Sequence, residues 1–330
     1  MATLDQDDLD AIQLLIDPTD AKIDTLASSV ASLAGDIVDV ASDVSAVKAV
    51  TDTLASRNIP LVHVNITGES TPPFNALHDA PALGAHWTSE RIDYLYSNTE
   101  GTARAEVGGN VKGWRDQVNG WLATQIGADD GPAYVVEDNM PVVQFTGAAG
   151  QGLEIDAAGD GLFRNIPYAY VFVAHKYANQ PTQQFVFSHA TNNSNNFRVG
   201  CGLNNNGIRL WAKSEFDGGS SANAILNSEF ESSHGVWSIG TYAFRWSDGA
   251  ITVRRDLGTF DPDASLGASG NSSDTNASFR ARIGSSLTTN YGNGIIGPIG
   301  EIVVCRPASA LSSSQLDDIA GAMMEKWGVA

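Results

Sequence analysis

The sequence predicts a mainly β protein: an antiparallel β-sandwich, preceded by an α-helical coiled coil and closed by a short C-terminal helix. Three observations carry this. Residues 23–54 place an apolar or β-branched residue at alternating spacings of three and four without a slip. From about residue 85 the pattern changes to short runs of period two, separated by turns rich in Gly, Asn, Asp and Ser. Residues 312–327 return to a helical stripe behind a Ser-x-x-Gln start.

Composition narrows the function classes. The 330 residues carry a net charge of -19, so phosphate and anionic lipid repel the chain, and no nucleic-acid partner is expected. No apolar run approaches the length of a membrane span, so no membrane insertion is expected. Residues 1–56 hold eleven aspartates and two lysines, leaving nine net negative charges there. That surface is either a solvated helix face or a dock for a basic partner. The opening "MATLDQDDLD" has neither the basic nor the apolar region of a secretory signal, so the expectation is a chain made and kept soluble in a cytoplasm. Cys201 and Cys305 stand too far apart for a zinc spacing and read as buried free thiols in strands.

Taken in order, residues 1–17 form a short helix with acids at its start, where the helix dipole favours them. Pro18 interrupts it, with Asp17 placed to cap the next helix. Residues 18–57 are that helix. Its a positions are Ile23, Val30, Ile37, Val44 and Thr51; its d positions are Leu26, Leu33, Val40, Val47 and Leu54. Valine at two d positions, with small Ala27, Ala34 and Ala41 at e, favours three strands over two and hence a homotrimer. Such a rod is roughly 55 Å long at ~1.5 Å per residue, and Gly35 within it costs about 1 kcal/mol relative to Ala. Residues 58–84 are a neck in which Pro60, Pro72 and Pro73 forbid further helix, with "PLVHVNI" as one strand.

Residues 85–330 are the sandwich. Strands are expected at "AYVVE", "PVVQF", "AYVFVAH", "QFVFSH", "FRVGCGL", "IRLWA", "TYAFRW", "AITVRR", "FRARIG" and "EIVVC". The closing helix pairs Ser312 with Gln315 in a capping box and puts Leu316, Ile319, Met323 and Trp327 on one face.

Four segments carry a family resemblance. "VKGWRDQVNG" (111–120), "PVVQFTGAAGQGLEI" (141–155), "YAYVFVAHKY" (168–177) and "GEIVVCRPASALSSSQLDDIAGAMMEKWG" (300–328) resemble, in order, the elements of concanavalin A-like, laminin-G-like jelly rolls of phages and bacteria. The resemblance implies an antiparallel concanavalin A-like jelly-roll sandwich. It implies structural roles for Trp114 in the core, Asp116 on turn amides and Trp327. It says little of function, because the fold hosts many activities.

Chemistry is sparse. Related glycosidases of this fold set carboxylates at alternate positions on one strand; "LEIDAAGDG" offers Glu154 and Asp156, but position 158 is Ala. No enzyme is therefore expected, with a polysaccharide hydrolase as the residual reading. The six histidines show no metal spacing. No cofactor is expected beyond an irregular calcium loop in "DPDASLGASGNSSDTN", through Asp261, Asp263 and Asp274. Trp121, Tyr177 and Phe216 lie in polar loops and are the aromatic candidates for stacking on a sugar.

The order of short helix, heptad, neck and lectin-like domain points to a trimeric virion fibre of a tailed phage, on head or tail. Residues 1–17 would attach it to another virion protein, and the sandwich would meet a host-surface glycan or protein. A capsid decoration protein without ligand and a bacterial surface adhesin or lectin are the alternatives.

Overall fold

The computed structural model describes residues 28–29, 80, 82–127, 131–147, 151–176, 184–190, 197–203, 210–215, 221–225, 235–274, 280–285 and 294–329. The chain divides into two compact units, Met1–Pro73 and Phe74–Ala330. In the first, Ser28 and Ser29 are helical and exposed. The 1–17 helix, the ten heptad positions from Ile23 to Leu54, and the neck up to residue 79 lie outside the described residues. Statements below concern the second unit.

Its strands open with β1 (Leu83–Thr88), β2 (Leu95–Tyr96), β3 (Gly113–Arg115), β4 (Leu122–Gln125), β5 (Ala133–Glu137) and β6 (Met140–Thr146). Next come β7 (Leu153–Ile155), β8 (Tyr168–His175), β9 (Gln184–Ala190), β10 (Phe197–Leu203), β11 (Leu210–Glu215) and β12 (Ser221–Ile225). The last are β13 (Ser238–Arg245), β14 (Ala250–Arg255), β15 (Ala264–Ser265), β16 (Arg282–Ile283) and β17 (Ile296–Cys305), before helix α1 (Ser313–Trp327). They build two antiparallel sheets. The first has the order β15-β14-β13-β8-β17-β6-β5, with β1 also on β17. The second runs β12-β11-β10-β9-β16-β7-β4-β3-β2. Each of the ten runs read as strands from the sequence contains strand residues here, "FRARIG" only at Arg282–Ile283, with Ile208, Arg209 and Phe279 outside the described residues.

Alternation explains the layering. Val171, Val173, Phe244, Ile302 and Val304 of the first sheet meet Trp114, Ile155, Phe187, Cys201 and Ile283 of the second in one buried core. The opposite side of the first sheet, with Tyr170, Phe172, Ile239, Val303 and Cys305, is covered by Leu316, Ile319, Met323 and Trp327 of α1. Helix α1 begins at the expected Ser312–Gln315 capping box and ends on Gly328 in the left-handed region. Cys201 lies between the sheets and Cys305 beneath α1, so the first sheet separates two free, buried thiols. Burial raises the pKa of both, that of Cys305 to about 12, and keeps them inert.

β17 holds the two layers in register. Its first half pairs with β6 through Ile296–Ile299, and its second half pairs with β1 through Glu301–Cys305. Between them the β8 ladder slips by one residue at Gly300. Ile299 faces the inter-sheet core, so period two would send residue 301 the same way. The extra residue resets the phase and turns Glu301, Val303 and Cys305 toward α1. Only glycine fits there, because a Cβ on Gly300 would lie 2.2 Å from Trp327 Cη2. Ser89 closes the change of partner: its amide donates to the Gly300 carbonyl (2.9 Å), and its hydroxyl lies within reach of Gly300 O (2.8 Å) and Pro141 O (2.6 Å).

Glu301 is fully buried, and three donors converge on it. His86 Nε2 lies 2.6 Å from Oε1, Lys326 Nζ 2.8 Å from Oε1, and Trp327 Nε1 2.9 Å from Oε2. Lys326 also reaches Glu90 (2.7 Å) and Thr88 Oγ1 (3.2 Å). Burial raises the carboxyl's pKa, but the Lys326 ammonium and the His86 ring more than offset this and hold it at about 2. The network joins β1, β17 and α1. The backbone amide of the same His86 donates to buried Asp116 (2.6 Å), which also accepts from the amides of Val118 (3.1 Å) and Asn119 (2.6 Å). Asp116 thus has the turn-satisfying role that the resemblance implied.

Glu301→Gln leaves Lys326 with a weakened buried partner and should cost roughly 3–5 kcal/mol in urea unfolding, whereas Glu90→Gln at the rim should cost less than about 1 kcal/mol. Because the folded-state pKa of Glu301 is depressed, its contribution is complete above the ordinary carboxylate pKa. It is lost as pH falls from there through about 2, and Glu301→Gln should flatten that part of the stability–pH curve. Gly300→Ala should destabilise by about 1–3 kcal/mol through overpacking, with Trp327→Leu relieving part of that loss in the double variant.

Candidate functional site

The outer side of the second sheet carries a line of polar side chains, part of it buried and part solvent-facing. Leu95, Trp114, Ala123, Leu153, Ile283, Phe187, Cys201 and Ala212 point into the inter-sheet core. Their neighbours in sequence therefore point outward. Cross-strand register sets those neighbours in one line: Tyr96, Gly113, Thr124, Glu154, Arg282, Ser188, Gly200 and Lys213, on β2, β3, β4, β7, β16, β9, β10 and β11. Six polar side chains and two bare glycines thus line up across eight strands of the nine.

Glu154 is the centre of the line. The guanidinium of Arg282, itself 7% exposed, donates to Glu154 Oε2 from Nε (3.1 Å) and Nη2 (2.8 Å). Ser188 next to it is buried and donates to the Ser285 carbonyl (2.9 Å). At the near end Arg115 stacks on Tyr96 (5.3 Å) and is fixed by bonds to Tyr96 Oη (3.2 Å) and the Gly120 carbonyl (2.8 Å). At the far end Lys213 lies over the Phe197 ring (5.4 Å), which stacks on Phe185 (5.1 Å).

One step along the strands sits a second group of charges. Asp156 accepts from the Leu122 amide (3.3 Å). Asp160, on the turn of 3-10 helix over Ala157–Phe163, lies within electrostatic reach of Arg280, Arg198, Glu154 and Asp156. Burial raises its pKa; the two arginines pull it back, and the two carboxylates push it further up. Arg280, Thr124 and Arg115 supply donors at the solvent-facing part of this surface; Glu154, Asp156 and Asp160 supply acceptors. A ligand bearing many hydroxyl groups, each both donor and acceptor, matches such a surface.

The residues singled out from sequence fall in different places. Glu154 and Asp156 do share one face, as alternate positions require. Yet Glu154 is held by Arg282 and Asp156 by the Leu122 amide, so both carboxylates have structural work. Trp121 is half-buried at the sandwich rim, packed on the core and 3.8 Å from where a Cβ on Gly159 would sit. Tyr177 and Phe216 lie outside the described residues. The calcium candidates do not converge: Asp263 pairs with Arg245, and Asp274 with Arg164 (2.7 Å). Among the described residues no group of three His, Cys, Asp or Glu side chains could hold a metal ion. His175 and His189 are buried in β8 and β9, and burial lowers His175 to about 4, so its ring stays neutral.

Sequence reasoning missed Asp160, Arg198, Arg280 and Arg282. The signal for the last two was in plain view: "FRARIG" sets arginines at alternate positions of an apolar strand, which puts both on one face.

Charge balance gives opposite expectations for two carboxylates here. Asp160 has a raised folded-state pKa, so its ionised form opposes folding and that cost grows as pH rises; Asp160→Asn should raise the thermal midpoint at pH 7. Glu154→Gln weakens the partner of a buried guanidinium and should lower it.

No protein-family model matches the chain, and no curated protein matches it. Among solved structures it is similar to the binding domain of Paraclostridial Mosquitocidal Protein 1, at 11% identity and a TM-score of 0.51, over 74% of this chain and 52% of that one. It is also similar to the botulinum neurotoxin serotype G binding domain, at 10% identity and 0.50, over 74% and 54%. A weaker likeness is to domain 4 of AbnA, an extracellular arabinanase of Geobacillus stearothermophilus in complex with arabinotriose, at 15% identity and 0.46, over 73% and 100%. At these identities the likeness concerns the β-sandwich fold.

Proposed function

We propose that this chain is a trimeric fibre protein of a tailed-phage virion, on head or tail, whose sandwich adheres to a host-surface glycan or protein. The observation that carries the adhesive reading is the polar face of the second sheet. Donors and acceptors stand side by side on sheet-borne positions and suit hydroxyl-rich ligands. The fibre reading rests on the sequence: a strict heptad from Ile23 to Leu54, a Pro-rich neck, and jelly-roll motifs that resemble phage domains. Residues 1–17 would contact another virion protein, and the heptad would make the homotrimer.

Turnover is not part of the proposal. A retaining glycosidase needs a free carboxylate beside a protonated one, and the guanidinium of Arg282 occupies Glu154. The same internal pairing favours a second reading, a capsid decoration protein whose polar face satisfies itself and binds nothing.

Light scattering of the full-length chain should report about three times 34.8 kDa, and Ile37→Asp should reduce that to one protomer. A monomeric wild type removes the fibre reading. In a glycan array and on labelled host cells, the trimer should bind at least tenfold above albumin, and Arg280→Glu should abolish that signal with the trimer intact. Binding no better than albumin leaves the decoration reading. Binding that survives EDTA sets calcium aside; loss in EDTA brings the loop at 261–274 back.

A further inference from the structure

The opposite face of the sandwich holds a second buried polar cluster. On the outer side of the first sheet, Thr241 of β13 stands directly across from Arg254 of β14. Both are buried, at 0% and 4% exposure. Arg254 Nη1 donates to Asp317 of α1 (2.5 Å), and the guanidinium lies under the Phe260 ring (4.6 Å). Phe260 belongs to the strap 256–263, which is tied down where the Thr252 hydroxyl donates to the Asp261 carbonyl (2.5 Å). Within this enclosure Arg254 Nε, Arg254 Nη2 and Thr241 Oγ1 are buried and meet no acceptor.

Nε and Nη2 form one edge of the guanidinium, and their N–H groups run parallel at the spacing of two carboxylate oxygens. A buried cation with two unmet donors is costly, and a hydroxyl beside it adds a third. From this geometry we infer that Arg254 and Thr241 form a binding site for a singly charged carboxylate, seated between β13, β14, the 256–263 strap and α1. The carboxylate takes the two guanidinium N–H groups in bidentate fashion and the Thr241 hydroxyl on a remaining lone pair. Charge selects a monoanion. Asp317 already neutralises Arg254, and the strap and helix also carry Asp256, Asp261, Asp263 and Asp318. A dianion there would meet repulsion without a second cation.

The test is the thermal midpoint of the full-length protein in sodium formate against sodium chloride at constant ionic strength. Formate should raise the midpoint saturably, by about 3 °C at ten times its half-saturating concentration. Thr241→Val and Arg254→Lys should each remove at least half of that shift. In chloride Thr241→Val should melt no lower than the wild type, since the hydroxyl it deletes has no partner. A formate effect that is absent, does not saturate, or is equal in Thr241→Val overturns the site and leaves ordered water as the occupant. A larger saturable shift in sulfate than in formate overturns the choice of a carboxylate.

Discussion

The buried carboxylate of Glu301 is the constraint on which the architecture turns. A charge removed from water must find partners, and here three donors come from two other elements: His86 on β1, and Lys326 and Trp327 on α1. Meeting that requirement fixes where α1 lies and which way round it sits. The Gly300 bulge is its geometric counterpart. Without the extra residue Glu301 would point into the apolar layer between the sheets, where no donor waits. With it, Ile302 and Val304 fill that layer while Val303 and Cys305 greet the helix. A single phase change in one strand therefore separates the two cores.

The same strand links this scaffold to the polar face. β17 and β8 lie at the centre of the first sheet, and their inward residues pack against the inward residues of the second. That packing leaves the outward residues of β4, β7, β9 and β16 on a stiff platform. Thr124, Glu154, Arg282 and Ser188 take their positions from backbone register, with no loop needed to place them. A surface preorganised in this way loses little conformational entropy on meeting a ligand. It also explains why two of its carboxylates behave differently. Glu154 gained a guanidinium from the next strand, while Asp160 was carried into a partly buried turn by the 3-10 helix that follows β7.

Much of the fold was legible before any coordinates. Runs such as "AYVFVAH" and "EIVVC" are long, β-branched and apolar, and a central strand is the place for them. The Ser312–Gln315 box and the stripe ending at Trp327 announced α1 because capping and amphipathicity are local. The strands that escaped notice are of another kind. β2 and β15 are two residues each, and β1 reads "LGAHWT", with glycine, alanine and histidine in place of β-branched residues. They are strands because a neighbour supplies the ladder, which is a tertiary effect.

What the sequence by itself determined is whatever depends on neighbours a few residues away: the antiparallel sandwich class, the capped final helix and the two buried, unpaired thiols. What only the tertiary structure decided is every pairing across the sheets. Nothing within "LEIDAAGDG" tells that Glu154 meets Arg282, 128 positions later. Nothing within "AITVRR" tells that Arg254 lies opposite Thr241 and beneath Phe260. Alternation assigns each residue to a face, but which residues share that face depends on strand order and register. Those are set by the summed burial of distant segments, a quantity that no local stretch of sequence contains.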